Sequence, residues 1–230
     1  PGDVSIYGDL MYEGPAPASL TAEAWRNARA GFIAEAGYAT REMAHQYLKA
    51  GEAALAAFPR HEEVVIWLDH KLSDQLILIN ALDWFSRRNL GAVQLSLICV
   101  VRYPVIEPLA GLGQLTADQL APLMDMRLRV TGAQFRLSQA AWRAFTSPDP
   151  RAIERFIETD SSALPFLAAA FRRHLEQFPS VQEGLSRTER QALSVLRERG
   201  SLTGRRLFAA VQSLEERIFM GDWSLYRIIA

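Results

Sequence analysis

The chain has 230 residues, 49% hydrophobic and 22% charged, with a formal net charge of −1. This is a globular profile with length for one large domain or two small ones, and no apolar run approaches the roughly 20 residues that span a bilayer. The single Cys99 excludes a disulfide framework; together with a start that lacks both a basic stretch and an apolar core, it points to a cytoplasmic protein.

Val4-Ser-Ile-Tyr7 is a short β-like run leading into the turn-rich segment Gly8 to Pro15. A helix is predicted from about Thr21, which can cap it, with Trp25, Ala28, Phe32 and Ala36 on one face and Gly37 as its stop. Thr40 can cap the next helix, which ends at Pro59. Val64 to Leu68 is a continuous apolar run, the pattern of a strand covered on both faces. Ser73 to Arg88 reads as a helix with Leu76, Ile79, Leu82 and Phe85 inward, and Leu95 to Val101 as a second buried strand. Cys99 inside that run reads as a small buried hydrophobe. Strand, helix and strand at this spacing form a parallel βαβ unit.

Beyond Pro104 and Pro108 the pattern becomes helical. Thr116 with Gln119, Thr131 with Gln134, and Ser186 with Glu189 match the capping-box spacing. Asp149-Pro150 reads as a cap followed by proline at the first helical position, and Ser162 to Phe178 as a central core helix. Helices over Arg187 to Arg199, Gly204 to Leu214 and from Asp222 onward have the spacing of a helix-turn-helix or winged-helix end. The expected fold is an α/β layer domain over residues 1–110, with a small parallel sheet, followed by an all-α part over 111–230, of which 185–230 is helix-turn-helix-like.

The candidate chemistry gathers where the first apolar strand ends, at Asp69-His70-Lys71-Leu-Ser-Asp74-Gln75. Ligands of α/β proteins bind at the carboxyl ends of strands. Asp69 and Asp74 could converge on one ion or substrate, with His70 between them as a base whose pKa they raise. The plain alternative is a helix cap at Ser73 or Asp74 with solvated neighbours. Asp9 and Glu13 would join the cluster if the first β-like run lay beside the strand that ends at Asp69. Gly111-Leu-Gly-Gln is a fragment of a phosphate-binding pattern without its third glycine or its Lys-Ser/Thr. Arg172-Arg173-His174 lies on the polar face of a helix. Arg205-Arg206 opens another helix and is the candidate nucleic-acid contact, although the third helix, which would enter a groove, carries one arginine and is otherwise largely apolar or aromatic.

Asp9 to Pro15, Trp67 to Leu76, Gly111 to Thr116, Phe178-Pro-Ser, Leu185 to Arg190 and Phe219 to Trp223 together resemble a bacterial family known as domain of unknown function 1835. The resemblance covers nearly the whole chain, and the Trp-x-acid-His…Asp-Gln-Leu segment is its most specific part. It implies a cytoplasmic bacterial protein with an N-terminal α/β domain and a helical C-terminal part. The family usually has an additional strand before the position of Pro1 and an extension beyond the last residue. It usually reads Glu-His-Asp where this chain has Asp69-His70-Lys71, so a carboxylate has become an ammonium, which would weaken a site of three acids on a metal and could instead favour an anionic, phosphate-bearing ligand.

Two functional expectations follow. The first is a small-molecule or nucleotide-type pocket at the strand ends, with Asp69, His70 and Asp74 as catalytic groups for acid–base hydrolase or transferase chemistry and Asp9, Glu13, Lys71 and Gln75 as ligand contacts. The second is a non-enzymatic regulator that binds DNA or a protein partner through the C-terminal helices, with Arg205 and Arg206 as contacts. Neither names a cofactor, metal or oligomeric state, and neither involves a membrane.

Overall fold

The computed structural model describes residues 2–18, 20–101, 103, 106 and 111–230. Two helices come first, α1 (Ala22–Glu35) and α2 (Arg41–Ala56), each opened by a threonine whose hydroxyl accepts a backbone N–H: Thr21 from Ala24 and Thr40 from Met43. Gly37 ends α1 in the left-handed region, at φ +76°, where a side chain would be strained and would also crowd Trp223.

The βαβ unit follows as expected: β1 (Glu63–Asp69), α3 (Leu72–Ser86) and β2 (Gln94–Val100), with β1 and β2 parallel and Val64 opposite Leu95 through Asp69 opposite Val100. The sheet is not purely parallel. A third, two-residue strand, β3 (Leu128–Arg129), pairs antiparallel with β2, and Arg127 reinforces that contact by donating to both carboxylate oxygens of Glu63 at 3.1 Å. The run Val4 to Tyr7 forms no strand; Val4 is 95% and Ile6 73% exposed. It is tied to α3 through the Tyr7 hydroxyl, which donates to Asn80 Oδ1.

The remaining helices are α4 (Ala117–Leu120), α5 (Gly132–Phe145), α6 (Arg151–Ile157), α7 (Leu167–Leu175), α8 (Arg187–Arg199), α9 (Gly204–Gln212) and α10 (Asp222–Ile229). The three capping boxes read from spacing are present at α4, α5 and α8. The expected long helix over 162–178 is shorter, because turns occupy residues 162–166 before α7 starts.

Alternation along the strands divides the core. Leu68, Leu95 and Leu97 pack on α3, whereas Ile98 and Val100 meet Leu115 and Leu123 on the other face. Helix α3 buries Ile77 and Leu78 in addition to Leu76, Ile79, Leu82 and Phe85, because α5 and α7 pack against it as well. The largest core cluster therefore contains Leu76 and Leu97 together with Phe145, Phe171, Val195 and Leu225; residue 110 does not separate two cores. Helices α8, α9 and α10 pack on one another. The last of them is fastened to the N-terminal part: Trp223 Nε1 donates to the Ala36 carbonyl at 2.9 Å, and Arg227 donates to Glu13 at 2.6 Å.

Candidate functional site

Residues 69–75 sit where β1 hands over to α3, as the sequence implies, but their side chains part to different surroundings. Asp69, 3% exposed, accepts the Lys71 backbone N–H at 3.0 Å and the Lys71 ammonium at 2.8 Å. Asp74 accepts the Asp69 N–H at 3.3 Å and lies 3.7 Å from the same ammonium. Gln75, almost fully buried, donates to the Asp69 carbonyl at 2.9 Å. Neither Ser73 nor Asp74 caps α3: its N-cap is Lys71, without a side-chain cap. Gly111 comes onto this group closely enough that a Cβ there would lie 2.8 Å from Lys71 Nζ. The glycine singled out as a weak phosphate-loop fragment thus serves as the backbone that closes over the Asp69–Lys71 pair.

Burial, with the neighbouring Asp69 as its hydrogen-bond partner and as a like charge, raises the Asp74 pKa to about 7. The carboxyl group poised near neutrality is therefore Asp74. Cys99 lies at 3.9 Å from the Gln75 amide. Burial, then the Asp69 charge, pushes its thiol up to about 11, so it stays protonated at neutral pH and is a poor nucleophile.

His70 does not act as a base braced by two carboxylates. Its Nδ1 lies 3.4 Å from the Val100 carbonyl; a carbonyl can only accept, so this nitrogen carries the proton and Nε2 is the ring's acceptor. Burial first, and the Arg217 charge second, lower its pKa, the reverse of the expected direction. The ring meets Phe166 edge-on at 5.7 Å, and the Arg217 guanidinium lies over the same phenyl ring at 5.6 Å.

His70 opens onto a cavity of about 290 Å³ whose wall includes Arg172, Arg173, Arg187, Arg217, Glu176, Glu215 and Glu216. Two of the arginines are committed to the fold. Arg173 donates to both oxygens of Glu215, to Gln177 and to Thr188, and Arg187 donates to Glu176 and Glu216. Arg173 is thus a buried tie at 8% exposure, where the sequence placed it on a polar face. Arg172 is exposed, and Arg217 Nη1 is buried with no hydrogen-bond partner. Sequence reasoning missed Arg217, because Glu215-Glu216-Arg217 between two helices reads as a solvated charge run.

Asp9 and Glu13 build no acidic pocket with Asp69. Arg29, fully buried, grips both oxygens of Asp9 at 2.8 Å and spends its other donors on the carbonyls of Leu10, Glu13 and Pro15. Glu13 accepts from Tyr38 and Arg227. Both carboxylates are fold ties, and the pairing that would have carried them to Asp69 does not form because the first run is not a strand. Arg205 and Arg206 are exposed at the start of α9. Among the described residues, no group of three or more His, Cys, Asp or Glu gathers as a metal site, and no helix is long and apolar enough to cross a membrane.

The chain matches no family model, no curated protein and no solved structure.

Proposed function

We propose that this protein binds a phosphate-bearing small molecule in the cavity at the carboxyl end of β1, with Arg217 and Arg172 meeting the anionic group and His70 a neighbouring hydroxyl. The observation that carries this reading is the Arg217 Nη1 group, buried without a partner beside His70. A buried donor left unpaired costs about 1–3 kcal/mol, and more when charged, so an anion at that nitrogen recovers a penalty the ligand-free fold bears. Position agrees, since strand carboxyl ends are where α/β folds hold ligands. Asp74, whose pKa burial and then the neighbouring Asp69 raise to about 7, does not line this cavity and takes no part in binding there. The likeness to domain of unknown function 1835 belongs to the same reading and rests on the quoted segments.

Titrating inorganic phosphate and ribose 5-phosphate into the protein, with heat release and thermal shift as readouts, tests the idea. Ribose 5-phosphate is expected to bind more tightly than phosphate, and Arg217→Gln to weaken both at least tenfold while leaving the melting temperature of the free protein unchanged or higher. Equal affinity in the wild type and Arg217→Gln would sink it.

A second reading, a regulator that binds nucleic acid, is favoured by the exposure of Arg205 and Arg206. It predicts DNA retention that weakens steeply with salt and falls in an Arg205→Ala/Arg206→Ala double variant. Against it, α10 has its Ser224 buried and its Trp223 and Arg227 bonded to the N-terminal part, which leaves it poorly placed to enter a groove.

A further inference from the structure

The far side of α7 carries a second, larger cavity of about 590 Å³, within the usual span for small-molecule sites. Its wall sets five rings, Tyr12 and Phe32 from the N-terminal part, Phe145 from the end of α5, and His174 and Phe178 from α7 and the turn after it, among polar groups such as Ser147 and Gln177. The His174 ring stands 5.2 Å from Phe145 and meets Phe178 edge-on at 5.7 Å. The charged groups in this wall are already engaged: Arg227 with Glu13 at 2.6 Å, and Glu189 with the Ser186 N–H at 2.7 Å. The α8 capping box also takes up the Ser186 and Glu189 N–H groups. One buried polar atom in the wall is unpaired: His174 Nδ1 has no hydrogen-bond partner.

We infer that this cavity is a binding site for an uncharged, flat aromatic or heteroaromatic molecule bearing one N–H or O–H, which stacks among Tyr12, Phe32, Phe145 and Phe178 and donates to His174. The ligand class follows from what the wall lacks as well as from what it offers. The Arg227–Glu13 ion pair and the hydrogen-bonded Glu189 carboxylate leave no unengaged charged group in the wall, and ring faces and edges reward a planar π-system. A buried, unpaired imidazole nitrogen rewards a donor and discriminates against a ligand that has none. Burial, aided by the adjacent Arg173, holds the His174 pKa down at about 4, so the ring is neutral and able to accept at physiological pH. This site is separate in chemistry and wall from the cavity at His70, and neither proposal depends on the other.

N-phenyl-1-naphthylamine is a suitable probe, being uncharged and aromatic, with one N–H and a fluorescence that rises in apolar surroundings. The full chain is expected to give a saturable rise with one site per chain. His174→Phe, which keeps a ring and removes the nitrogen, is expected to weaken binding about tenfold. Ser147→Trp, which fills the cavity from its wall, is expected to abolish it. Excess inorganic phosphate should not displace the dye. Circular dichroism establishes that each variant folds, and if His174→Phe does not, Ser147→Trp alone decides. No saturable signal, unchanged affinity in the folded variants, or competitive displacement by phosphate would each overturn the assignment.

Discussion

Arg29 spends all its guanidinium donors on residues 9–15, and Asp9 sits beneath it at 2% side-chain exposure. A buried pair of this kind is expensive to break, because the surviving charge is left without water or partner. Arg29→Ala is therefore expected to lose about 3–5 kcal/mol in denaturant unfolding, with Asp9→Ala close behind and the double variant far from additive. Asp74 leads to a prediction of opposite sign. Its folded pKa, about 7, stands above the ordinary aspartate value. The native state therefore holds its proton more tightly than the unfolded chain does, and the associated stability is present at pH 4 and below and is lost as pH rises through 7. Asparagine mimics the protonated carboxyl. Asp74→Asn should leave the melting temperature nearly unchanged at pH 4 and raise it at pH 8, with a gain on the order of 1–3 kcal/mol after allowance for screening by Lys71. The type and place of Asp74 were legible in the sequence. Its approach to Asp69 was legible as well; that the Lys71 ammonium and not His70 stands beside the two carboxylates was decided by the fold.

At the scale of elements, caps were the most readable feature. Thr21, Thr40, Thr116, Thr131 and Ser186 all cap the helices that follow them. A cap is a contact between residues three apart, so the sequence contains both partners. Ser186 is the cap to test: its hydroxyl accepts the Glu189 N–H at 3.2 Å while Glu189 accepts the Ser186 N–H in return. Ser186→Ala is expected to cost about 1–2 kcal/mol, a fall of roughly 2–8 °C in melting temperature for a chain of this size. The first β-like run shows the opposite case. Val4 and Ile6 have strand propensity, yet β-propensity only expresses fitness for a pleated, half-covered surface, and no strand lies beside them. Strand β3 was missed for the converse reason: two residues have no period to detect, and Leu128–Arg129 pair with β2 because Arg127 anchors the segment to Glu63.

For the molecule as a whole, the shared core predicts one cooperative unfolding event. Leu97 from the sheet and Leu225 from the last helix belong to the same cluster, and Trp223 and Arg227 fasten α10 to the first 40 residues. Far-ultraviolet dichroism and tryptophan fluorescence should give coincident denaturation curves, and two separated transitions would contradict this. A fragment ending at residue 110 should fail to fold, since it would expose the face of α3 that α5 and α7 cover. By itself the sequence determined the βαβ unit, the five caps at Thr21, Thr40, Thr116, Thr131 and Ser186, and the place where polar residues leave the first strand, because each is written in periods of two or 3.6 residues or in spacings of three. The caps expected at Ser73 or Asp74, Asp149 and Asp222 fall instead to Lys71, Pro150 and Gly221. Only the tertiary structure decided that His70 faces arginines from residues 172–217, that Asp69 and Asp74 turn instead to Lys71 and Gly111, and that Asp9 belongs to Arg29. Those choices rest on which surfaces meet across a hundred residues or more, or on which charge reaches a dry site first. Neither leaves a local repeat in the chain.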